Sequence, residues 1–181
     1  MKDLSLHILD IVQNSISAKA TFIDIIIEEN PLENSYRLFI KDNGKGIPKE
    51  MVDKVTDPYT TSRTTRKVGL GLPLLKMNAE RTGGYLKISS EVGKGTEVEA
   101  FFVYDHIDRL PIGDIAGVIT ILVSANPLIE FIYSHQVNEE KYVFDTREIK
   151  EALDDVAIND IHIIKYLKEM IHENLLEIKA I

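Results

Sequence analysis

The stretch KDNGKGIP (Lys41–Pro48) decides how the first half of the chain is arranged. Asn43-Gly44 is a strong signal for a two-residue hairpin turn, and the preceding YRLFI has the composition of a strand. A hairpin would need a second strand directly after the turn. Instead, the segment KEMVDKV follows Pro48, and its apolar residues recur at helical spacing. The sequence therefore predicts a strand that ends at an aspartate and passes through two glycines into a helix.

Periodicity on both sides of this stretch predicts an α/β (α+β) two-layer sandwich, in which helices cover a sheet. Up to Tyr104 the predicted order is helix, strand, strand, helix, loop, helix, strand, strand. The rest of the chain predicts an apolar helix, a second hairpin, a helix capped by Asp145 and a final amphipathic helix. One side of that last helix carries an apolar stripe, formed by Ile161, Ile164, Leu167, Ile171 and Leu175.

Charge divides the chain near Asp105. Residues 1–104 hold 14 Lys and Arg against 14 Asp and Glu, whereas residues 105–181 hold 7 against 15 and carry the whole net charge of −8. We therefore place a boundary between a domain of residues 1–104 and an acidic α+β extension of residues 105–181. The extension either completes the core or forms a surface for a protein partner or a homodimer.

Composition excludes several function classes. The chain has no cysteine, so it has no disulfide and no thiol catalysis. The net negative charge argues against a nucleic-acid partner. No apolar run is long enough to span a bilayer, and the N-terminus lacks the pattern of a signal peptide. We therefore expect a cytoplasmic protein with no membrane partner.

Two segments carry side chains suited to a nucleotide. Asp10 and Asn14 lie one turn apart on the first helix, where an amide oxygen suits Mg²⁺ and a carboxylate can polarise water for attack on phosphate. Asp42 can accept from an exocyclic amine, while Gly44 and Gly46 let the backbone approach a flat ring. Read singly, Asp10 and Asn14 are more typical of a solvated helix face, and the second segment is as typical of a surface turn as of a base contact.

Two further segments complete the pattern. Gly69 and Gly71 open a helix, whose free N–H groups favour phosphate. Thr96 begins a strand after a glycine and can contact the same purine edge as Asp42, directly or through water. Read singly, the first is a glycine-rich turn and the second an ordinary strand.

The order D-x-x-x-N, D-x-G-x-G, G-x-G, G-T is far more specific than its parts, and it resembles the GHKL ATPases. That superfamily includes histidine kinases, gyrase-type ATPases and the mismatch-repair protein MutL. LDIVQNSISAKAT resembles the first segment of MutL-like proteins. DPYTTS, VGLGLPLLK and GGYLKISSEVGKGTEVEAFF resemble histidine-kinase catalytic domains. The resemblance covers Leu4 to Tyr104.

The resemblance implies ATP and Mg²⁺ as cofactors, Asp10 as the catalytic residue and Asn14 as the metal ligand. It implies nucleotide contacts from Asn14, Asp42, Gly44, Gly46, Ile47, Thr60, Thr61, Lys67, Gly69, Leu70, Gly71, Leu72 and Thr96. Thr60 to Val68 would form a lid. Asp10 is one methylene shorter than the glutamate of gyrase and MutL, which favours slow hydrolysis or binding alone.

Three functions remain open from the sequence. The first is a slow ATPase that acts as a regulatory switch, and the second is a kinase that phosphorylates a partner in trans, as anti-sigma kinases do. The third is an adenine nucleotide sensor without turnover. The chain begins directly at the first helix of the ATP site, so we expect a stand-alone domain without an acceptor histidine.

Overall fold

The computed structural model describes residues 1–52, 54–56 and 71–181. Its helices are α1 Leu4–Ser17, α2 Lys49–Val52, α3 Gly71–Arg81, α4 Ile115–Ala125, α5 Thr146–Leu153 and α6 Ile161–Glu177. Its strands are β1 Phe22–Asn30, β2 Ser35–Asp42, β3 Tyr85–Glu91, β4 Gly95–Val103, β5 Glu130–Val137 and β6 Glu140–Asp145. A 3₁₀ turn, Pro31–Glu33, links β1 to β2. The predicted order of helices and strands is confirmed throughout these residues.

One sheet runs through both halves of the chain. Its strand order is β3-β4-β2-β1-β5-β6. Neighbouring strands are antiparallel except β1 and β5, which are parallel. The two strands after residue 105 therefore extend the sheet of the first half, with β5 hydrogen-bonded directly to β1.

The core lies between the sheet and the helices, as the period-two pattern of β1 predicts. Ile23, Ile25 and Ile27 are fully buried, and the residues between them are only partly covered. From the helix side, Ile8 and Val12 of α1 are also fully buried. Burying a side chain of this size stabilises the fold by about 1.5–3 kcal/mol. These contacts give the two layers that the sequence predicts.

The C-terminal helix covers the core with most of its predicted apolar stripe. Leu167, Ile171 and Leu175 are buried, Ile164 is partly buried, and α6 packs against α4. Ile161, the first residue after the N-cap, is 78% exposed, so the covered part of the stripe begins at Ile164. The stripe is therefore mainly part of the core.

No helix within the described residues combines the length and the apolar character needed to cross a membrane.

The stretch from Lys41 to Pro48 behaves as predicted. β2 ends at Asp42, and α2 begins at Lys49.

Candidate functional site

A cleft of about 350 Å³ opens between the C-terminal half of α1, the end of β2 and the start of α3. Residues from four separate parts of the sequence meet there. The predicted site residues that line it are Asn14, Asp42, Gly46, Ile47, Gly71, Leu72 and Thr96. The cleft thus brings together the four segments that the sequence singled out.

The Asp42 carboxylate is held from two sides at this cleft. Ser15 Oγ donates to Asp42 Oδ2 at 2.7 Å, and the Gly44 backbone N–H donates to Asp42 Oδ1 at 2.8 Å. Each carboxylate oxygen keeps a further lone pair for another donor. Asp42 is therefore a pre-oriented acceptor that lines the cleft.

Ser15 is a candidate site residue that sequence reasoning missed. Its side chain is 4% exposed and lies on the inner face of α1, directly after Asn14. The available signal was a serine at a helix position whose neighbours one turn away are apolar. Such a serine needs a partner when buried, and here that partner is Asp42.

The glycine-containing loop after β2 is fastened to its surroundings by backbone and amide groups. Asn43 Oδ1 accepts from the backbone N–H groups of Thr21 and Phe22, both at 2.9 Å. The Lys45 N–H donates to the Ala18 carbonyl, also at 2.9 Å. The loop therefore has a fixed position beside the C-terminal end of α1.

Glycine is required at position 46 for a structural reason that differs from the predicted one. Its φ is +70°, and a Cβ added there would lie 2.1 Å from the Glu91 carbonyl oxygen. Gly44 is similarly enclosed, since a Cβ there would lie 2.9 Å from the Ala18 oxygen. Both glycines let the loop approach protein backbone, whereas the sequence argument gave only an approaching base as the reason.

Thr96 lies directly opposite Asp42 in the β2–β4 pair. Its hydroxyl is 2.9 Å from Ser90 Oγ, which also accepts from the Ile47 backbone N–H at 2.8 Å. Ser90 was also missed, because its role depends on the strand pairing that places Thr96 opposite it in the β3–β4 hairpin. The threonine, the serine and the loop thus form one connected hydrogen-bonded unit.

Asp10 lies against the first residue of α3. A Cβ on Gly71 would lie 1.8 Å from Asp10 Oδ2, so a larger residue there would displace this carboxylate. Asp10 is not among the residues that line the cleft, but Gly71 is. The carboxylate therefore stands next to the positively polarised N-terminus of α3.

His7 joins α1 to α3 behind this contact. The ring is fully buried, and its Nε2 lies 3.1 Å from the Asn78 side-chain nitrogen. Burial lowers the pKa of His7 below its ordinary value of 6.5. A neutral imidazole that accepts from Asn78 therefore links the two helices that flank the cleft.

Several predicted residues cannot be placed. Thr60, Thr61, Lys67, Gly69 and Leu70, together with the lid from Thr60 to Val68, lie outside the described residues. Within the described ranges, no group of three or more His, Cys, Asp or Glu side chains could hold a metal ion.

Residues 2–106 match the family model for the histidine kinase-, DNA gyrase B-, and HSP90-like ATPases. The chain belongs to this ATPase family. Membership supports binding of ATP by the chain. Within it, sensor kinase CckA of Brucella abortus (strain 2308) is 38% identical over 71 residues. Those residues make up 38% of this chain and 8% of that protein.

Solved structures agree on the fold. The N-terminal domain of a DNA repair protein matches with a TM-score of 0.56 and 18% identity, over 79% of this chain and 52% of that one. The Aquifex aeolicus MutL ATPase domain, complexed with ADP, matches with a TM-score of 0.50 and 18% identity. The match covers 84% of this chain and 69% of that one. Both matches extend beyond the 105 residues of the family model, so part of the C-terminal extension shares this architecture.

Proposed function

We propose that the chain binds Mg²⁺-ATP in this cleft and hydrolyses it slowly, as a regulatory switch. One observation carries the proposal. Asp42, a family-motif residue, is held by Ser15 and Gly44 as an acceptor at the rim of a cleft that Asn14 and Gly71 also line. Adenine would place its 6-amino group against the Asp42 carboxylate. The opposite end of the nucleotide would then extend towards α1 and the start of α3.

Phosphate would be held at the second part of the cleft. The N-terminus of α3 begins at Gly71, where free N–H groups and the helix dipole favour negative charge. Asn14 is exposed on α1 and presents an amide oxygen on the same cleft. It would be the protein ligand of Mg²⁺, which neutralises the phosphate charge when bound.

Hydrolysis would use Asp10. Its carboxylate lies against Gly71 and so stands beside the proposed phosphate position. It would accept a proton from the water that attacks the terminal phosphorus, and ADP would leave. An aspartate reaches one methylene less far than a glutamate, which fits slow turnover.

A path of packed helices supports the role of switch. α1 carries Asn14 and Ser15, α4 packs against α1, and α6 packs against α4. A shift of α1 on nucleotide binding would therefore be transmitted to the acidic C-terminal half. A protein partner or second copy would bind on that half.

A trans-acting kinase is the second candidate, favoured by the 38% identity to a sensor kinase. In that case the attacking group would be a side chain of another protein, and water would be a poor substitute. Purified protein would then release almost no ADP alone, but it would label a partner with phosphate from ATP.

Titration calorimetry with ATP, ADP and GTP, each with and without Mg²⁺, tests the proposed binding. We expect adenine-selective binding that Mg²⁺ strengthens for ATP, and we expect Asn14→Ala to remove the effect of Mg²⁺. Equal binding of GTP would contradict the adenine site. An unchanged Mg²⁺ dependence in Asn14→Ala would contradict the metal assignment.

Turnover is tested separately by ADP release at saturating ATP. Asp10→Asn should abolish release while the affinity for ADP stays within about threefold, because Asp10 would act on the water that attacks the terminal phosphate, which ADP lacks. Turnover that survives this change would exclude Asp10 as the base. Turnover absent from the wild type as well, with phosphate transfer to a partner, would favour the kinase.

A further inference from the structure

One face of the sheet packs against the helices, and the side chains on the other face, here called the outer face, are more exposed. We propose that the outer face binds a second copy of the chain, with the two sheets packed face to face. The two-fold axis would run parallel to the strands, between β1 and β2, which are the central strands of the sheet. The C-terminal half contributes β5 and β6 to this face, and the nucleotide cleft lies on the helix side.

The centre of the outer face is built from alternating residues of β1 and β2. These side chains are all partly or largely exposed, and they are Asp24, Ile26, Glu28, Arg37, Phe39 and Lys41. Ile26 and Phe39 are strand partners in the middle of this set. Towards the two edges of the sheet, Tyr85 of β3 and Val143 of β6 are 42% and 51% exposed. The outer face therefore offers an accessible apolar centre with charged residues around it.

Charge on this face is divided by strand. The acidic residues on β1 and the basic residues on β2 are, respectively, Asp24 and Glu28, and Arg37 and Lys41. Each acid has one of these bases as its strand partner, so an acid–base pair lies on either side of the apolar centre. A rotation about the proposed axis places β2 of one copy over β1 of the other. The basic strand of each copy would then meet the acidic strand of the other, and every contact would occur twice.

Within one copy, the basic side chains are drawn away from the acidic strand. Lys41 Nζ pairs with Glu97 Oε2 of β4 at 3.1 Å. The Arg37 guanidinium lies 5.9 Å from the centre of the Phe101 ring, which is also on β4, on the side of β2 away from β1. Burial raises the pKa of Asp24 above its ordinary value, although Lys41 acts in the opposite direction. A further cation above Asp24, which the second copy would supply, would favour the charged carboxylate.

The dimensions of the outer face fit a weak, reversible dimer. Six strands spaced about 4.8 Å apart span roughly 25 Å, and strands of 6 to 9 residues are roughly 20–30 Å long. The flat area is therefore roughly 500–750 Å² per copy, at the lower end of what specific interfaces bury. Two sheets pack about 10 Å apart with their strands within about 30° of each other, so facing rows of side chains can meet. We therefore expect a dissociation constant in the micromolar range.

Sedimentation velocity of the full chain, at about 1–200 μM and without nucleotide, measures this dimer. The wild type should show a concentration-dependent equilibrium between monomer and dimer. Arg37→Glu and Glu28→Arg, each alone, should weaken dimerisation at least about 100-fold, because like charges would then face each other at two symmetric places. An equimolar mixture of the two variants should form a heterodimer, because residues 37 and 28 then carry opposite charges across the interface.

Lys165→Glu is the matched control, since it also reverses a positive charge but lies on the exposed side of α6. It should dimerise as the wild type does. The chain that carries both Glu28→Arg and Arg37→Glu is a second variant, should a single reversal fail to fold, because it keeps opposite charges on β1 and β2. It should dimerise with itself and form no mixed dimer with the wild type, which native mass spectrometry of an isotope-labelled mixture detects.

A wild type that stays monomeric at every concentration would overturn the proposal. Single variants that are folded by circular dichroism and dimerise as tightly as the wild type, or that do not recover on mixing, would overturn it too. Mixed dimers between the double variant and the wild type would exclude this face. A dimer weakened by Lys165→Glu and unaffected by Arg37→Glu would place the second copy on α6 instead. Since no nucleotide is present, none of these outcomes depends on the proposed function.

Discussion

Asp42 of β2 and Glu29 of β1 lie at opposite ends of this strand pair, each belongs to a polar cluster, and the two clusters differ in what surrounds them. The open end (Asp42, Ser15 and Thr96) contains groups that line or adjoin the cleft. The closed end (Glu29, Tyr133 and His135) is buried in the same sheet, with exposures of 7%, 0% and 0%. Hydrogen-bonding polar side chains therefore occur in two environments, one at each end of the β1–β2 pair.

At the closed end the side chains satisfy one another. His135 Nε2 lies 2.7 Å from Glu29 Oε1, and Tyr133 Oη lies 2.7 Å from His135 Nδ1. Burial raises the pKa of Tyr133 well above its ordinary value, so the phenol stays protonated and can donate. At the open end, by contrast, Asp42 and Thr96 keep acceptor capacity directed at an accessible volume. The contrast teaches that a polar cluster indicates a binding site only when some of its hydrogen-bonding capacity is directed at a space that a ligand can enter.

The largest expected effect is a loss of ADP affinity, caused by a substitution at the open end. Asp42→Asn should weaken ADP binding at least about 100-fold, because an amide can present N–H where the adenine amino group needs an acceptor. Calorimetric titration measures this loss. Asp24→Asn, on the partly exposed face of β1, is the control and should bind as the wild type does. Equal affinities in Asp42→Asn and wild type would refute the adenine contact.

The closed end should affect stability and leave binding unchanged. Glu29→Ala leaves the buried His135 ring without its partner, so the free energy of unfolding should fall by about 2–4 kcal/mol. Urea unfolding followed by circular dichroism measures the loss. The folded fraction should bind ADP with wild-type affinity, since Glu29 lies at the opposite end of β1 from Ile23, the strand partner of Asp42. A parallel loss of affinity would show that the two ends are coupled.

Ser15 gives a smaller effect that sharpens the comparison. Ser15→Ala removes one of the two hydrogen bonds that orient Asp42, and ADP affinity should fall about tenfold. Ser17→Ala is a demanding control, because Ser17 also lines the cleft but donates its hydroxyl to the Gln13 carbonyl at 2.8 Å. Its affinity should stay within about twofold of wild type. Equal losses in both variants would mean that Asp42 needs no orienting partner.

The smallest effect concerns pH and the His7 contact behind the cleft. Burial lowers the pKa of His7 in the folded chain, so the unfolded chain binds the proton more readily below about pH 6.5. The free energy of unfolding should therefore decline as pH falls from 7 to 5. His7→Gln should show a shallower decline, whereas His162→Gln, an exposed site, should follow the wild type. Parallel curves for wild type and His7→Gln would contradict a neutral buried ring.

Much of the fold could be predicted from the sequence, because the spacing of apolar residues and the positions of glycine and proline are properties of short segments. The alternation in β1 and the proline after the two glycines were sufficient to place a strand before a helix. Spacing alone could not show that Ile161, at the start of the same apolar side of α6, is exposed whereas Ile164 packs against the core.

The site was predictable where the order of motifs carried information, and less so where contacts cross the chain. Asn14, Asp42 and Thr96 stand in recognisable segments. Ser15 meets Asp42 across 27 residues, and Ser90 is meaningful only through the hairpin pairing that places it beside Thr96. Such contacts depend on strand pairing and helix rotation, which no single segment specifies.

The most direct test of the account is an amide NMR titration of the wild-type chain with ADP. The account predicts shift changes concentrated at the open end and its loop, at Gly44, Gly46, Ser90 and Thr96. The amides of Glu29 and His135 at the closed end should move little. Shifts centred on the closed end, or spread evenly over the sheet, would contradict the claim that nucleotide binds where Asp42 is presented.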